Sequence, residues 1–163
     1  VKGRLYDICI ELTANMLELA GKGTIEECAE MAKEAISSGK ALEILKETIE
    51  MQGGDSRICD DTELLPKAKY SHIIYAPRDV EVIGIDAEEL GMASLILGAG
   101  RINKDDEIDY TAGIVLEFEL GDKVSMDAPI MTLYSDCVSD FSDAAYRAYN
   151  ALKFKTLTDN AWT

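Results

Sequence analysis

Basic residues are scarce: 16 Lys and Arg stand against 31 Asp and Glu, for a formal net charge of −15. Such a balance excludes a nucleic-acid binder that works by neutralising phosphates, and it argues against docking on an anionic membrane. Histidine occurs once, at His72, and no C-x-x-C pair occurs among Cys9, Cys28, Cys59 and Cys137. A zinc framework therefore lacks its partners, and the cysteines read as buried free thiols in a reducing cytoplasm. No apolar run approaches the ~20 residues of a membrane span, and no basic start leads into a short apolar stretch as in a signal peptide. Low-complexity stretches are missing too. What is present is a chain of 163 residues with 47% apolar side chains. That is well above the disordered class, and a chain this long buries about 70% of its unfolded surface. The sequence opens on Val1 rather than Met, part-way into a helical pattern, so a piece of a longer protein is expected.

Residues 4–66 read as helical. Leu5, Ile8, Cys9, Leu12, Met16, Leu19 and Ala20 recur at steps of three and four and define one apolar stripe. Gly21 and Gly23 stop that helix. Thr24 and Glu27 then have the spacing of a capping box, and Cys28, Ala32, Ala35 and Ile36 form the stripe of a second helix. Ser37-Ser38-Gly39 ends it. A third helix is predicted from about Lys40 to Gln52, with Leu42, Leu45 and Ile49 inward and Gly53-Gly54 closing it. From Asp55 to Lys69 the period is lost, and Asp60-Asp61 and Pro66 mark a connector. The boundary is drawn there, with a helical segment over 1–66 and a β-rich domain over 67–163.

The second part is mostly strand. Ile73-Ile74-Tyr75 and Val80 to Ile85 flank the turn Pro77-Arg78-Asp79. A helix is predicted from Ala87 to Leu97. Thr111 to Leu120 reads as a long strand and Ile130 to Tyr134 as another. Ser139 to Leu152 reads as a last helix with Phe141, Ala144, Ala145, Ala148 and Leu152 inward. Lys153 to Thr163 shows no period and reads as a frayed end.

Three patterns invite a chemical reading. Gly98-Ala99-Gly100-Arg101 opens like a dinucleotide fingerprint, but it follows a helix, lacks the third glycine and opens no helix. It reads as a helix end and tight turn, with Arg101 as an ion-pair partner. Asp105, Glu107 and Asp109 alternate like a calcium loop. Tyr110 stands where that loop requires glycine and Leu116 where it requires a bidentate Glu. A solvated acidic loop is the expectation. Ser71 and His72 are strand neighbours and point to opposite faces, which rules out triad geometry for the pair. His72 reads as a strand-edge histidine with a hydrogen-bond partner.

Order and motif together carry a family resemblance. Gly84-Ile85-Asp86-Ala87-Glu88-Glu89-Leu90-Gly91 leads to Leu97-Gly98-Ala99-Gly100-Arg101. Next come Lys104-Asp105-Asp106, Ile108-Asp109-Tyr110-Thr111-Ala112-Gly113-Ile114, Gly121-Asp122-Lys123-Val124 and Ala128-Pro129-Ile130. Upstream stand Leu19-Ala20-Gly21, Ser38-Gly39-Lys40-Ala41-Leu42 and Gln52-Gly53-Gly54-Asp55. Over about residues 4 to 136 this resembles the C-terminal region of the bacterial pyrimidine-nucleoside phosphorylases, relatives of thymidine phosphorylase. The resemblance implies an α+β chain: a helical segment from the end of an α/β lobe, then a β-rich, barrel-sandwich-like C-terminal domain. It also implies phosphorolysis of pyrimidine nucleosides to free base and sugar 1-phosphate in the parent enzyme. The family's phosphate segment, its Arg, Ser and Lys base contacts and its potassium-binding segment have no counterpart here. No catalytic, cofactor-binding or metal residue is therefore assigned, and phosphate and potassium belong to the full-length family.

Some positions depart from the family pattern. The Arg78-Asp79-Val80 turn lacks the expected glycine, so a positive-φ Asp79 is expected. Phe118-Glu119 replaces Lys-rich strand residues, and the tail after Lys153 matches nothing. Gly121-Asp122-x-Val124 with Pro129-Ile130 is also similar to the closing hairpin of biotinyl and lipoyl domains. The hairpin tip near Glu107 to Tyr110 has no lysine, and Lys104 is offset, so shared architecture is expected. A non-catalytic carrier or binding module of that type is the alternative reading. The resemblance thus implies a cytoplasmic chain, inactive alone, with the remainder of the phosphorylase as partner. Neither nucleic acid nor membrane is expected as a partner; weak self-association through residues 5–52, or packing of these helices onto the chain's own β domain, is.

Overall fold

A computed structural model describes residues 3–101 and 103–157. Val1, Lys2 and Ile102 lie outside the described residues, as does the end of the tail from residue 158 onward. The chain divides into two compact units, residues 1–65 and 66–163. The architecture is α+β.

The first unit is helical. α1 (Arg4–Leu19), α2 (Ile25–Ser37) and α3 (Lys40–Met51) follow one another through short turns. Gly21 takes φ 70 past the end of α1, a conformation that a side chain disfavours. The capping box forms as the spacing predicts. The Thr24 hydroxyl accepts from Glu27 N at 3.3 Å, and the Glu27 carboxylate accepts from Thr24 N at 2.9 Å. α1 packs on α2 with a different face from the one the stripe predicts. Ile10 and Ala14 are its buried residues, and Tyr6, Thr13 and Leu17 are half-buried. Leu5, Leu12, Met16 and Leu19 stay more than half exposed, and Ile8 is 43% exposed. α2 buries Cys28 and Ala32, and α3 buries nothing completely. The connector is more ordered than its composition suggests. It holds two 3₁₀ turns, Ser56–Cys59 and Thr62–Leu64, capped by the side chains of Asp55 and Asp61. Lys46 of α3 reaches Asp60 at 2.9 Å and ties the first turn down.

The second unit contains two three-stranded antiparallel sheets and two helices. One sheet has the order β1 (Tyr70–Tyr75), β5 (Pro129–Ser135), β3 (Gly113–Leu116). The other has the order β4 (Lys123–Val124), β2 (Val80–Ile85), β6 (Leu152–Thr156). In the first sheet, His72 lies opposite Leu133 and Leu133 opposite Ile114. Central β5 is buried at Ile130, Met131, Thr132 and Leu133. α4 (Ala87–Ile96) and α5 (Ser142–Asn150) pack together with Ala93, Ala144 and Ala148 buried. Small side chains let the two helices approach closely. They share one core with Val80, Val82, Leu97 and Phe141.

Several sequence expectations are corrected. The segment after Lys153 is not frayed through residue 156: β6 pairs with β2, with Phe154 opposite Val82. The strand expected over Thr111 to Leu120 is only Gly113–Leu116, because Asp109 and Asp122 draw the flanking residues into turns. The last helix starts at Ser142, where Asp140 takes the Ser142 N–H at 3.0 Å, rather than at Ser139. Asp79 is not at positive φ; among the described non-glycine residues Asp127 alone is, at φ 61. Asp79 instead accepts Met126 N at 2.7 Å, which braces its turn against the β4–β5 connection. The cysteines are free, but only Cys28 is buried, while Cys9 and Cys137 are exposed.

Candidate functional site

Three segments of the second unit meet at one residue, Asp109. Asp109 sits in the loop between α4 and β3 and is 8% exposed. Its Oδ1 accepts Thr111 N at 2.9 Å and Thr111 Oγ1 at 2.7 Å. Its Oδ2 accepts Asp136 N at 2.6 Å and Cys137 N at 3.3 Å, both just past the end of β5. Ser135 Oγ lies 3.2 Å from the same oxygen and 2.8 Å from Leu97 O, so its single proton is shared between them. As an acceptor, Ser135 Oγ takes Cys137 N and Val138 N. Asp109 N closes the circuit by donating to Gly98 O at 2.9 Å.

Gly98 is required at this junction. It takes φ +101, and a Cβ there would stand 3.2 Å from Asp109 Cβ. Gly98 N and Ala99 N donate to Leu95 O and Ser94 O and finish α4. The Gly98-Ala99-Gly100 stretch is therefore a helix end, as the sequence suggests. Arg101 beyond it is exposed.

The electrostatics of Asp109 favour a structural role. Burial alone would raise its pKa. The hydrogen bonds from Thr111, Asp136 and Cys137 outweigh it and hold the carboxyl well below the usual range. A carboxylate with two oxygens offers about four lone pairs. Here these are committed to protein donors, so Asp109 has no free lone pair to act as a base. The adjacent Cys137 thiol is pushed up, first by burial and then by Asp109 and Asp136, which disfavours a nucleophilic thiolate.

The other residues weighed from the sequence lie apart from any reactive arrangement. Asp105 and Glu107 are exposed, as a solvated loop predicts, but Asp109 is the buried hub described above. His72 stacks on Phe141 with ring centroids 5.8 Å apart and planes at 15°. Among the described residues no group of three or more His, Cys, Asp or Glu is placed to hold a metal. No described helix is long and apolar enough to cross a membrane. A second polar feature escaped the sequence reading. Arg147 of α5 clamps Glu89 of α4, with Nε 2.5 Å from Oε2 and Nη2 3.5 Å from Oε1. The pair lines an open cleft of about 420 Å³ with Ile96, Asp143, Tyr146 and Asn150. Both ions are satisfied by each other, so the clamp joins two helices. The Asp109 node was missed from the sequence, although its local half carries a signal that could have found it, the turn pattern Asp-x-Thr. Its long-range half, from Asp136 and Cys137, carries none.

Comparison with known proteins gives the site its context. Residues 82–155 match the family model described as the pyrimidine nucleoside phosphorylase C-terminal domain. That stretch holds most of both sheets, the whole Asp109 node and the Glu89–Arg147 clamp. The chain is also 41% identical over 133 residues to the pyrimidine-nucleoside phosphorylase of Bacillus subtilis (strain 168). It is 40% identical over 133 residues to that of Staphylococcus aureus (strain USA300). In both comparisons the match takes in 81% of this chain and 31% of the relative, so the chain spans about a third of the length of the curated relatives it matches. The chain belongs to the pyrimidine-nucleoside phosphorylase family and carries that family's C-terminal domain.

Proposed function

We propose that this chain is the C-terminal part of an enzyme that cleaves pyrimidine nucleosides with phosphate, giving free base and sugar 1-phosphate. The observation that carries the reading is the 41% identity over 133 residues to a pyrimidine-nucleoside phosphorylase. The phosphate and base motifs that the resemblance leads one to expect are missing from the sequence, so the chain alone is inactive. Phosphate as co-substrate and a potassium ion are bound elsewhere in the full-length enzyme. Its natural partner is the remainder of the phosphorylase. The four free thiols suit the reducing cytoplasm.

On this reading the second unit works as a rigid body. Phosphorolysis requires that phosphate rather than water reach the sugar, which lobe closure achieves by excluding solvent. A domain that moves in such a closure must not deform. Asp109 provides that stiffness by joining the end of α4, the following loop and the end of β5. The test is direct: incubate the 163-residue chain with uridine or thymidine and phosphate, and measure free base. We expect none above background. Clear turnover would overturn the inactive-alone reading.

A further inference from the structure

The cleft between α4 and α5 holds more polar groups than the Glu89–Arg147 clamp uses. Glu89 takes Nε and Nη2 of Arg147, and among the described residues Nη1 has no protein acceptor. The side chains of Asp143, Tyr146 and Asn150, which line the same cleft, make no hydrogen bond among those residues either. Asp143 and Asn150 are two helical turns apart on α5, so they share one face about 10 Å apart with Arg147 between them. Tyr146 beside them is 76% exposed, an aromatic ring left facing water. Half-buried Ile96, at the end of α4, supplies an apolar wall.

These groups select a ligand by exclusion. A volume of about 420 Å³ suits a small molecule. Two carboxylates, Glu89 and Asp143, stand against one guanidinium on a chain of net charge −15, so a phosphate group is repelled. A metal ion is not held, since no described group of three or more His, Cys, Asp or Glu is placed for one. A hydrocarbon would leave Nη1 and the Asn150 amide unpaired once water is expelled. A neutral planar ring that both accepts and donates, joined to a group with hydroxyls, satisfies every one of these conditions. The geometry points to this cleft as a binding site for an uncharged pyrimidine nucleoside. Its base stacks on Tyr146 and turns its carbonyl and N–H edge to Arg147 Nη1 and the Asn150 amide. Asp143 accepts from the sugar hydroxyls, as carboxylates do in ribose recognition. The choice of a pyrimidine over other planar rings rests on the phosphorylase reading.

The test is to titrate the isotope-labelled 163-residue chain with uridine and follow its backbone amides by NMR. Saturable shifts confined to α4 and α5 are expected. Tyr146→Ala should weaken uridine binding about tenfold. Asp143→Ala should weaken it about threefold. Both positions are exposed, so helix content by circular dichroism should be unchanged. Tyr110→Ala, in an exposed loop of the same unit, should bind uridine normally. Uridine 5′-phosphate should bind about fivefold more weakly than uridine, and Asp143→Asn should narrow that gap. Shifts that fail to saturate, or that centre outside α4 and α5, would overturn the site. So would equal affinity in Tyr146→Ala, or equal affinity for uridine 5′-phosphate. Adenosine held as tightly as uridine would overturn the choice of a pyrimidine. A full-length chimera, with the matched stretch of the B. subtilis protein replaced by this chain's residues, separates the two readings. Uridine phosphorolysis by the chimera, with no saturable shift in the isolated chain, would count against the site alone. A Tyr146-dependent site in a chimera without phosphorolysis would count against the functional reading alone.

Discussion

The two units are stabilised by different means. Among the described residues, the first buries four apolar side chains, Ile10, Ala14, Cys28 and Ala32, whereas the second buries fourteen. The first relies on local devices: a capping box, an Asp55 cap and short-range ion pairs. The second relies on contacts far apart in sequence, such as Asp109 with Asp136 and Glu89 with Arg147. Local devices specify which residues become helix. They contribute little to keeping helices together, because helical stability in proteins comes mostly from packing an apolar face. The difference shows that secondary structure and a core can be supplied by separate parts of one chain.

The largest expected effect comes from separating the units. Residues 66–163 expressed alone should unfold in urea in one cooperative transition, followed by circular dichroism. Residues 1–65 alone should lose helicity gradually, with no sigmoid. A cooperative transition for the helical piece would break the comparison. Next in size is Asp109→Ala, which leaves donors from two segments, Thr111 in the loop and Asp136 and Cys137 past β5, without a partner. It should destabilise the second unit by about 3 kcal/mol and leave the first unchanged, measured as the midpoint shift of each unit's transition.

The acid response sharpens the same contrast. The Asp109 carboxyl is depressed in the folded chain relative to the ~3.9 of an unfolded aspartate. Its stabilisation is therefore complete above about pH 5 and is lost as the pH falls below about 4. The wild-type second unit should lose stability steeply between pH 5 and 2, and Asp109→Asn should flatten that slope while starting from a lower value. Equal slopes would show that the carboxylate charge does not matter. The smallest effect is expected from Thr24→Ala, which removes half the capping box. About 1 kcal/mol of helix stability should be lost, read as reduced helicity of the first unit with the second unaffected.

The sequence made the local features legible. The period-3.6 stripes, the Thr24–Glu27 spacing and the alternation over Val80 to Ile85 each mapped onto an element, because neighbours in sequence decide them. β6 was missed although Leu152-Lys153-Phe154-Lys155 alternates apolar and polar side chains, because Leu152 was given to the preceding helix and the alternation that remained was too short to count. The packing face of α1 was misread for a related reason. Two apolar faces compete on that helix, and periodicity chose the one with the larger side chains. The Asp109 node was misread as a solvated loop: Asp-x-Thr is a local signal that was passed over, and Ser135, Asp136 and Cys137 arrive only through the fold. The family, by contrast, was readable from motif order alone.

Cys28 links structure to time. It is 0% exposed on α2, and burial, then Glu18 and Glu27, raise its thiol pKa, so the reactive thiolate is rare while the helix stays packed. A disulfide reagent must wait for the first unit to open. Cys9, on exposed α1 surface, needs no such wait. The ratio of their labelling rates, corrected for thiolate fraction, therefore reports the opening equilibrium of the helical unit under native conditions.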